Sequence, residues 1–452
     1  AAGRAHTEGV RGGGEPRPPS QLGIMGRPGA VHKATGLLLL LLLQQLLLGP
    51  ADGLRAPPSA KGRRGATRLR VKDASLDSLS PPGGSGPAPQ GAGANPLRVR
   101  RNPKTTKTFA RFLEIEALLE PRVEPLRPTL LSLAKACKSI SELVRNAAGY
   151  DLDGMFEESA GQATVNVQGE DVKKLDVVTN RMLKATVCAG GGVSCVASEE
   201  EDEPQLCAFV MDNENAAFSG DYAVVFDPLD GSANIDQGLS AGTIFGVYQV
   251  PEHAKRGDWK AALLQPGSQL LAAGYCLYGS STTLVLTTGR GVNAFSLDEV
   301  SGDFILRHEN IKMPRSGAYF SFNEGNYADW HAPVQDFVDG LKTGEGRLQR
   351  RYSGRYQGAL AADVHTILLR GGIFGYPGTV SKPAGKLRLL YEAIPMSFLI
   401  EQAGGVGSDG HGRILHRMPA EIHERVPFFI GSADEVGELE RCLRQPGDSD
   451  GA

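Results

Sequence analysis

The chain has 452 residues, with 48 Lys and Arg against 51 Asp and Glu and a formal charge of −3. A balance this close to neutral argues against nucleic acid as the main partner, because phosphate-backbone binding rests on a positive surplus. Six cysteines (Cys137, Cys188, Cys195, Cys207, Cys276 and Cys442) form no Cys-x-x-Cys pair, which argues against a zinc module or a disulfide framework and predicts free thiols.

In chain order, residues 1–53 read as an upstream extension followed by a signal peptide. The first methionine is Met25. An apolar core, Leu37 to Leu43 and Leu46 to Leu48, is interrupted by Gln44-Gln45 and is too short to span a bilayer. Ala51-Asp52-Gly53 supplies a small-x-small cleavage site. Residues 54–107 carry twelve Lys or Arg against only Asp73 and Asp77, in a Ser-, Ala-, Pro- and Gly-rich background, the composition of an organelle transit peptide. The pair predicts a bipartite leader for a plastid behind extra membranes, and no membrane segment in the mature chain. A basic linker on a secreted protein, a membrane anchor and a cytoplasmic destination are the alternatives.

Globular patterning runs from Thr108 to about Cys442, before a tail at 446–452. Leu130, Leu131, Leu133, Ala134, Cys137, Ile140 and Leu143 recur at helical spacing, and Val177 to Val187 read as a second helix. Strands are predicted at 193–197, 222–226, 272–278 and 283–287, with antiparallel meanders at 292–297 and 304–307. Residues 359–369 and 387–403 read as helices. The interleaving gives a layered α/β protein, with an N-terminal subdomain at 108–307 and a C-terminal one at 308–445.

Two apolar strands run directly into acids. Tyr222-Ala223-Val224-Val225-Phe226 leads into Asp227-Pro228-Leu229-Asp230-Gly231-Ser232, read as a strand ending in a tight turn. Val193-Ser194-Cys195-Val196-Ala197 leads into Ser198-Glu199-Glu200, while Glu201-Asp202-Glu203 beyond reads as a solvated loop. Asp171 and Asp176 flank another short segment. Carboxylates suit hard cations such as Mg²⁺, and the N–H groups at Gly231 and Ser232 suit a phosphate. Two carboxylates 4 Å apart repel by roughly 4 kcal/mol at an effective dielectric near 20, so a pocket of them calls for a cation. That combination suits metal-assisted hydrolysis of a phosphate ester.

The C-terminal half adds Asn323, Tyr327, Arg355, Tyr356, Tyr376 and the run Gly385-Lys386-Leu387-Arg388-Leu389-Leu390-Tyr391-Glu392. Cationic side chains suit a second phosphate. Taken alone, Lys386 and Arg388 also read as a solvated helix face, and the tyrosines as edges of a core. Glu392 within an apolar helix needs a metal or a basic partner, because an unpaired buried carboxylate is costly.

In this order, Lys173-Lys174-Leu175-Asp176, Ser198-Glu199-Glu200, Phe226-Asp227-Pro228-Leu229-Asp230-Gly231-Ser232 and Gly385 to Glu392 resemble the fructose-1,6-bisphosphatase family over about 108–442. Val165 to Asp171 and Ser321 to Tyr327 look closest to its plastid form. The resemblance implies an α-β-α-β-α sugar-phosphatase fold, a homotetramer, and removal of the 1-phosphate of a sugar bisphosphate with two or three Mg²⁺ ions, Mn²⁺ being an alternative. It implies that Glu199, Glu200, Asp227, Asp230 and Glu392 are metal ligands together with the Leu229 carbonyl. Asp176 with Glu200 would activate water, with Asp171 in support. Gly231 and Ser232 would hold the scissile phosphate. Asn323, Tyr356, Tyr376, Lys386 and Tyr327 would bind the sugar and its 6-phosphate, and Arg355 would reach in from a neighbouring subunit.

The chain departs from the family pattern in several places. Ala233 replaces a usual Ser, and Asn326 stands where animal forms carry a phosphate-binding Tyr. Asp221 and Gln249 stand where animal-type enzymes place cations for AMP, so AMP inhibition is not expected. Gln249 to Leu264 is short and holds no cysteine, so the thioredoxin-controlled loop of the light-regulated form is missing. Sedoheptulose-1,7-bisphosphatase, a dual-specificity enzyme and a non-catalytic sugar-phosphate binder are the rival readings. An inositol-monophosphatase-like enzyme would add a Trp-Asp-x-Ala-Ala-Gly motif, which the chain lacks.

Overall fold

A computed structural model describes residues 107–147, 157–158, 162–163, 173–207, 209–212, 215–218 and 220–444. The leader expected over residues 1–107, apart from Lys107, the 446–452 tail and Asp171 lie outside the described residues. No helix among the described residues is long and apolar enough to cross a membrane.

Three helices open the fold: α1 (Phe109–Leu119), α2 (Arg127–Arg145) and α3 (Lys174–Ala189). Pro128 does not interrupt α2 but sits in its first turn, where no N–H is needed. The predicted stripe buries Leu130, Leu133, Ala134, Cys137 and Ile140, whereas Leu131 points outward. Each of the large aliphatic side chains contributes about 1.5–3 kcal/mol by leaving water, and Leu133→Ala would cost about 2–5 kcal/mol.

An eight-stranded sheet follows: β1 (Val193–Ser198), β2 (Gln205–Leu206), β3 (Tyr222–Asp230), β4 (Ala241–Gln249), β5 (Leu270–Tyr278), β6 (Thr282–Thr287), β7 (Val292–Asp298) and β8 (Asp303–Ile311). Its order is β8-β7-β6-β5-β4-β3-β1-β2, and only the β1–β3 pair is parallel. All nine residues of β3 are buried, because helices cover both faces of the sheet.

The second sheet has the order β10-β9-β11-β13-β12, built from β9 (Tyr319–Phe322), β10 (Ser353–Gly354), β11 (Gly372–Tyr376), β12 (Val406–Ser408) and β13 (Phe428–Gly431). Helices α4 (Ala332–Thr343) and α7 (Ala433–Leu443) pack with its strands around Phe322, Phe337 and Leu439. Between the two sheets lie α5 (Leu360–Arg370) and α6 (Ile394–Gln402). Helix α6 buries every residue from Ile394 to Ile400, as expected of a helix with protein on all sides. The α1–α3 layer completes the expected α-β-α-β-α stack.

Three expectations are corrected here. Pro228 does not end β3. The strand continues to Asp230 through a bulge, with Asp227 opposite Ile244 and Asp230 opposite Gly242. Proline has no N–H to give a ladder, and a bulge removes the need for one; the Thr243 hydroxyl donates to the Pro228 carbonyl at 2.8 Å. The thiols are not all free, because Cys188 at the end of α3 is disulfide-bonded to Cys207 just after β2. Strand β2 folds back antiparallel on β1 and returns the chain to that helix end. Cys137, Cys195 and Cys276 are free and buried, and Cys442 is free and half-buried. Finally, Glu201 is not solvated: it is half-buried, pairs with Lys184 and accepts from Asn180 Nδ2 at 3.0 Å.

Candidate active site

The acids that follow β1 and those in the bulged end of β3 meet the C-terminal half in one cavity of about 320 Å³. Parallel pairing sets this up: Ser198 lies beside Phe226, so Glu199-Glu200 and Asp227 leave the same edge. The Glu199 N–H donates to the Phe226 carbonyl at 3.2 Å, and that of Glu200 to Ser198 Oγ at 3.3 Å. In the bulge, Asp227 Oδ1 accepts the Leu229 N–H at 2.9 Å. Asp230 points at the start of α5 and accepts the N–H groups of Leu360 (3.0 Å) and Ala361 (2.7 Å). Those donors are unsatisfied within the helix and favour an anionic partner.

Gly231 turns the chain with φ 74°, and a Cβ there would come within 2.5 Å of the Ala359 Cβ. Only glycine meets both conditions, which explains the Asp-Gly pair at this turn. Asp176 sits in the first turn of α3. Its Oδ2 accepts the Lys173 N–H at 2.9 Å and Ser232 Oγ at 3.3 Å.

The C-terminal half contributes Tyr356, Tyr376, Lys386, Arg388, Asp363 and Glu392 to the lining. Leu389–Ala393 forms one π-helical turn, a feature often found at functional sites. It directs Glu392 inward, where Glu392 Oε2 accepts the Arg388 N–H at 2.6 Å. Arg388 Nη1 lies 2.9 Å from Glu199 Oε1 and 3.9 Å from Glu392 Oε2.

Burial and mutual repulsion dominate the electrostatics. Burial raises the Asp227 carboxyl well above its ordinary value, and Glu199, Asp230 and Glu392 add to the shift. Burial pushes Asp230 up to about 7, against the two α5 N–H bonds that lower it. Burial pushes Glu392 to about 8, with Arg388 pulling down and Glu199 pushing up. Asp176 rises to about 6, again through burial. Among the described residues, no three His, Cys, Asp or Glu side chains stand at ready-made ligand geometry; Arg388 engages the Glu199 carboxylate. The chemistry of the donor set nevertheless fits a hard divalent cation, because it is all oxygen, anionic and self-repelling.

The cavity therefore brings together Asp176, Glu199, Glu200, Asp227, Leu229, Asp230, Gly231, Ser232, Tyr356, Tyr376, Lys386 and Glu392. Three expected residues do not line it. Asn323 caps a short turn by accepting the Gly325 N–H at 3.3 Å. Tyr327 donates to Asp339 Oδ2 at 2.6 Å and packs on Trp330, while its neighbour Asn326 donates to the Tyr376 hydroxyl at 3.4 Å. Arg355 stands exposed, its guanidinium 5.0 Å from the centre of the Tyr319 ring.

The expected residues did not include Arg388 or Asp363. Arg388 is 2% exposed, the opposite of a solvated face. The signal was its i,i+4 spacing to Glu392, which places opposite charges on one helical face. Asp363 ties down the Gln357-Gly358 loop, accepting both N–H groups and the Ser321 hydroxyl. Burial holds its carboxyl up at about 6. An acid in the first turn of an apolar helix was the available sign.

Comparison with known proteins fits this arrangement. Residues 107–309 match the family described as Fructose-1-6-bisphosphatase, N-terminal domain, and residues 313–444 match its C-terminal domain. The chloroplastic fructose-1,6-bisphosphatase of Spinacia oleracea is 47% identical over 328 residues, covering 70% of this chain and 76% of that protein. The cytosolic enzyme of Solanum tuberosum is 46% identical over 338 residues, covering 74% and 94%. The crystal structure of Leishmania major fructose-1,6-bisphosphatase in holo form superposes with a TM-score of 0.68 at 36% identity, covering 75% of this chain and 99% of that one. With both domains matched and relatives at nearly half identity, the chain belongs to the fructose-1,6-bisphosphatase family.

Proposed function

We propose that the protein hydrolyses fructose 1,6-bisphosphate to fructose 6-phosphate and inorganic phosphate, with Mg²⁺ (or Mn²⁺) held by Glu199, Glu200, Asp227, Asp230, Glu392 and the Leu229 carbonyl. The observation that carries this reading is the meeting, in one cavity, of a carboxylate cluster with Lys386, Tyr356 and Tyr376. One side suits a metal and a phosphate, and the other suits a sugar and a second phosphate. Bound Mg²⁺ supplies Lewis acidity toward the phosphoryl oxygens and lowers the pKa of water.

The chain's own residues do the rest. The Gly231 and Ser232 backbone holds the 1-phosphate, at a turn fixed by the close approach of Ala359. Asp176 and Glu200 take the proton of the attacking water, whose oxygen bonds to phosphorus as the bond from phosphorus to the sugar oxygen breaks. A carboxyl held near 6, as burial holds Asp176, exchanges protons at neutral pH. A proton then returns to the sugar alkoxide. Lys386, Tyr356, Tyr376, Asn323 and Tyr327 serve the sugar and its 6-phosphate. Arg355, exposed on the outside, serves that phosphate in a neighbouring copy of a homotetramer. Residues 108–307 act as the metal-binding subdomain and 308–445 as the sugar-phosphate subdomain. The chloroplastic names of several relatives and the basic leader together favour a plastid, where the reaction feeds the Calvin cycle or sugar synthesis.

The test is phosphate release from fructose 1,6-bisphosphate and from sedoheptulose 1,7-bisphosphate, side by side in Mg²⁺. Preferential release from the fructose compound supports the assignment. Preferential release from the sedoheptulose compound replaces it with the rival reading, and release from neither overturns it.

A further inference from the structure

His423 lies outside the cavity, yet it joins the two segments that carry opposite sides of it. Its Nε2 is 3.1 Å from the main-chain carbonyl of Glu201, the residue after Glu200. A carbonyl only accepts, so Nε2 carries the proton. Nδ1 is then the acceptor and receives the Tyr391 hydroxyl at 2.8 Å. Tyr391 is fully buried and directly precedes Glu392 in the π-helical turn. The two rings also pack edge to face, with centroids 5.8 Å apart.

The segment bearing His423 is itself anchored to the C-terminal half. The Leu389 N–H donates to the Glu424 carbonyl at 2.7 Å, and the Val426 N–H to the Leu387 carbonyl at 2.9 Å. Arg388 and Arg425 form an antiparallel bridge between these bonds. His423 is thus held on the Glu392 side and reaches across to the Glu199–Glu201 turn. Glu201, the imidazole and Tyr391 thus form one hydrogen-bonded span between the Glu199-Glu200 turn and the turn that bears Glu392, beside the Arg388 bridge from Glu199 to Glu392. Those carboxylates come from separate halves of the chain, and the strand ladders of neither sheet link them directly.

We propose that His423 is a positioning residue that fixes the spacing between the Glu199-Glu200 turn and Glu392, and so sets the cavity's affinity for divalent cation. This rests on the metal-site reading above. Partners that orient metal ligands from outside the coordination shell typically cost about 10–100-fold in affinity when removed. The imidazole here orients two backbone segments rather than one ligand, and the same order of effect is expected.

The test is Mn²⁺ binding to the purified full chain, followed by the loss of the free-ion paramagnetic resonance signal, in wild type, His423→Leu and His423→Gln. A Mg²⁺ titration of fructose 1,6-bisphosphate hydrolysis accompanies it. His423→Leu should need about tenfold more Mn²⁺, and as much more Mg²⁺, for half-saturation. At saturating Mg²⁺ its KM for the sugar bisphosphate should match wild type, which a general loss of structure would not allow. His423→Gln, with an amide N–H near the place of Nε2–H, should recover most of the affinity. Equal Mn²⁺ binding by wild type and His423→Leu would overturn this proposal alone. Weakened binding in the Leu variant that Gln leaves unrepaired would overturn it too, pointing to packing rather than to the hydrogen bond. A wild-type chain that binds no Mn²⁺ would overturn the metal-site reading and this proposal with it.

Discussion

The carboxylates on one side of the cavity are set into the ends of buried strands: Asp227 and Asp230 lie within the bulge of β3, and both are buried. The groups proposed to face the sugar, on the other side, stand on loops and strand ends, with Tyr356 42% exposed and Lys386 exposed. A metal tolerates little variation in ligand spacing, so its donors belong on the rigid sheet, where backbone ladders fix them. A flexible phosphorylated sugar is better met by long side chains at a rim. Arg388 and Glu392 cross this division, being C-terminal residues buried among the acids of the other half.

The largest effect should come from the acid side. Glu200→Gln should lower kcat by about 10²–10⁴-fold, the usual worth of a positioned base, with KM for fructose 1,6-bisphosphate little changed. A change confined to KM would place Glu200 on the sugar side of the comparison. Next, Arg388→Met removes the cation from a buried cluster and should cost about 3–5 kcal/mol in chelator, read by denaturant unfolding. Added Mg²⁺ should restore part of that loss, because it neutralises the same carboxylates; a loss indifferent to Mg²⁺ would separate Arg388 from the metal cluster.

Cys188→Ser opens a ring that spans 19 positions and contains Glu199 and Glu200. It should cost about 3 kcal/mol, the scale of loop-closure entropy for such a ring. Dithiothreitol should lower the unfolding midpoint of wild type but not that of the variant. On the sugar side, Lys386→Ala should raise KM about tenfold, the scale of one charge-assisted hydrogen bond, and leave kcat nearly intact. A fall in kcat as large as that of Glu200→Gln would erase the proposed division of labour.

The last test concerns pH. His365, on α5 and bonded to the Tyr275 hydroxyl at 2.7 Å, is held down at about 4 from its ordinary 6.5, mainly by burial and further by His308. The unfolded chain therefore takes up a proton that the folded chain refuses. Stability from the neutral ring is complete above about pH 6.5 and is lost as pH falls toward 4. His365→Gln should flatten that acid limb in thermal unfolding.

The acid side was legible because Glu199-Glu200 and Asp227 follow closely on apolar runs, a local pattern that survives without the fold. Arg388 was not, because Lys386 and Arg388 look alike in sequence. Only the bridge to Arg425 and the packing of α6 decide that one is exposed and the other sealed in. The disulfide was hidden for a similar reason. Cys195 lies between Cys188 and Cys207 in sequence but is buried in β1, and only the return of β2 carries Cys207 to the helix end. The continuation of β3 past Pro228 also depended on a distant residue, the Thr243 hydroxyl on the neighbouring strand. Tyr327 showed how one position of register matters: the ring turns to Asp339, and Asn326 faces Tyr376.

The central claim is that the buried carboxylates hold metal while the opposite rim holds the sugar phosphate. Its most direct test is a crystal structure with Mn²⁺ and fructose 6-phosphate, with the metal located by anomalous scattering. Anomalous peaks are expected among Glu199, Glu200, Asp227, Asp230 and Glu392, with the 6-phosphate against Lys386 and Tyr376. Mn²⁺ bound elsewhere, or the sugar phosphate seated away from that rim, would contradict it.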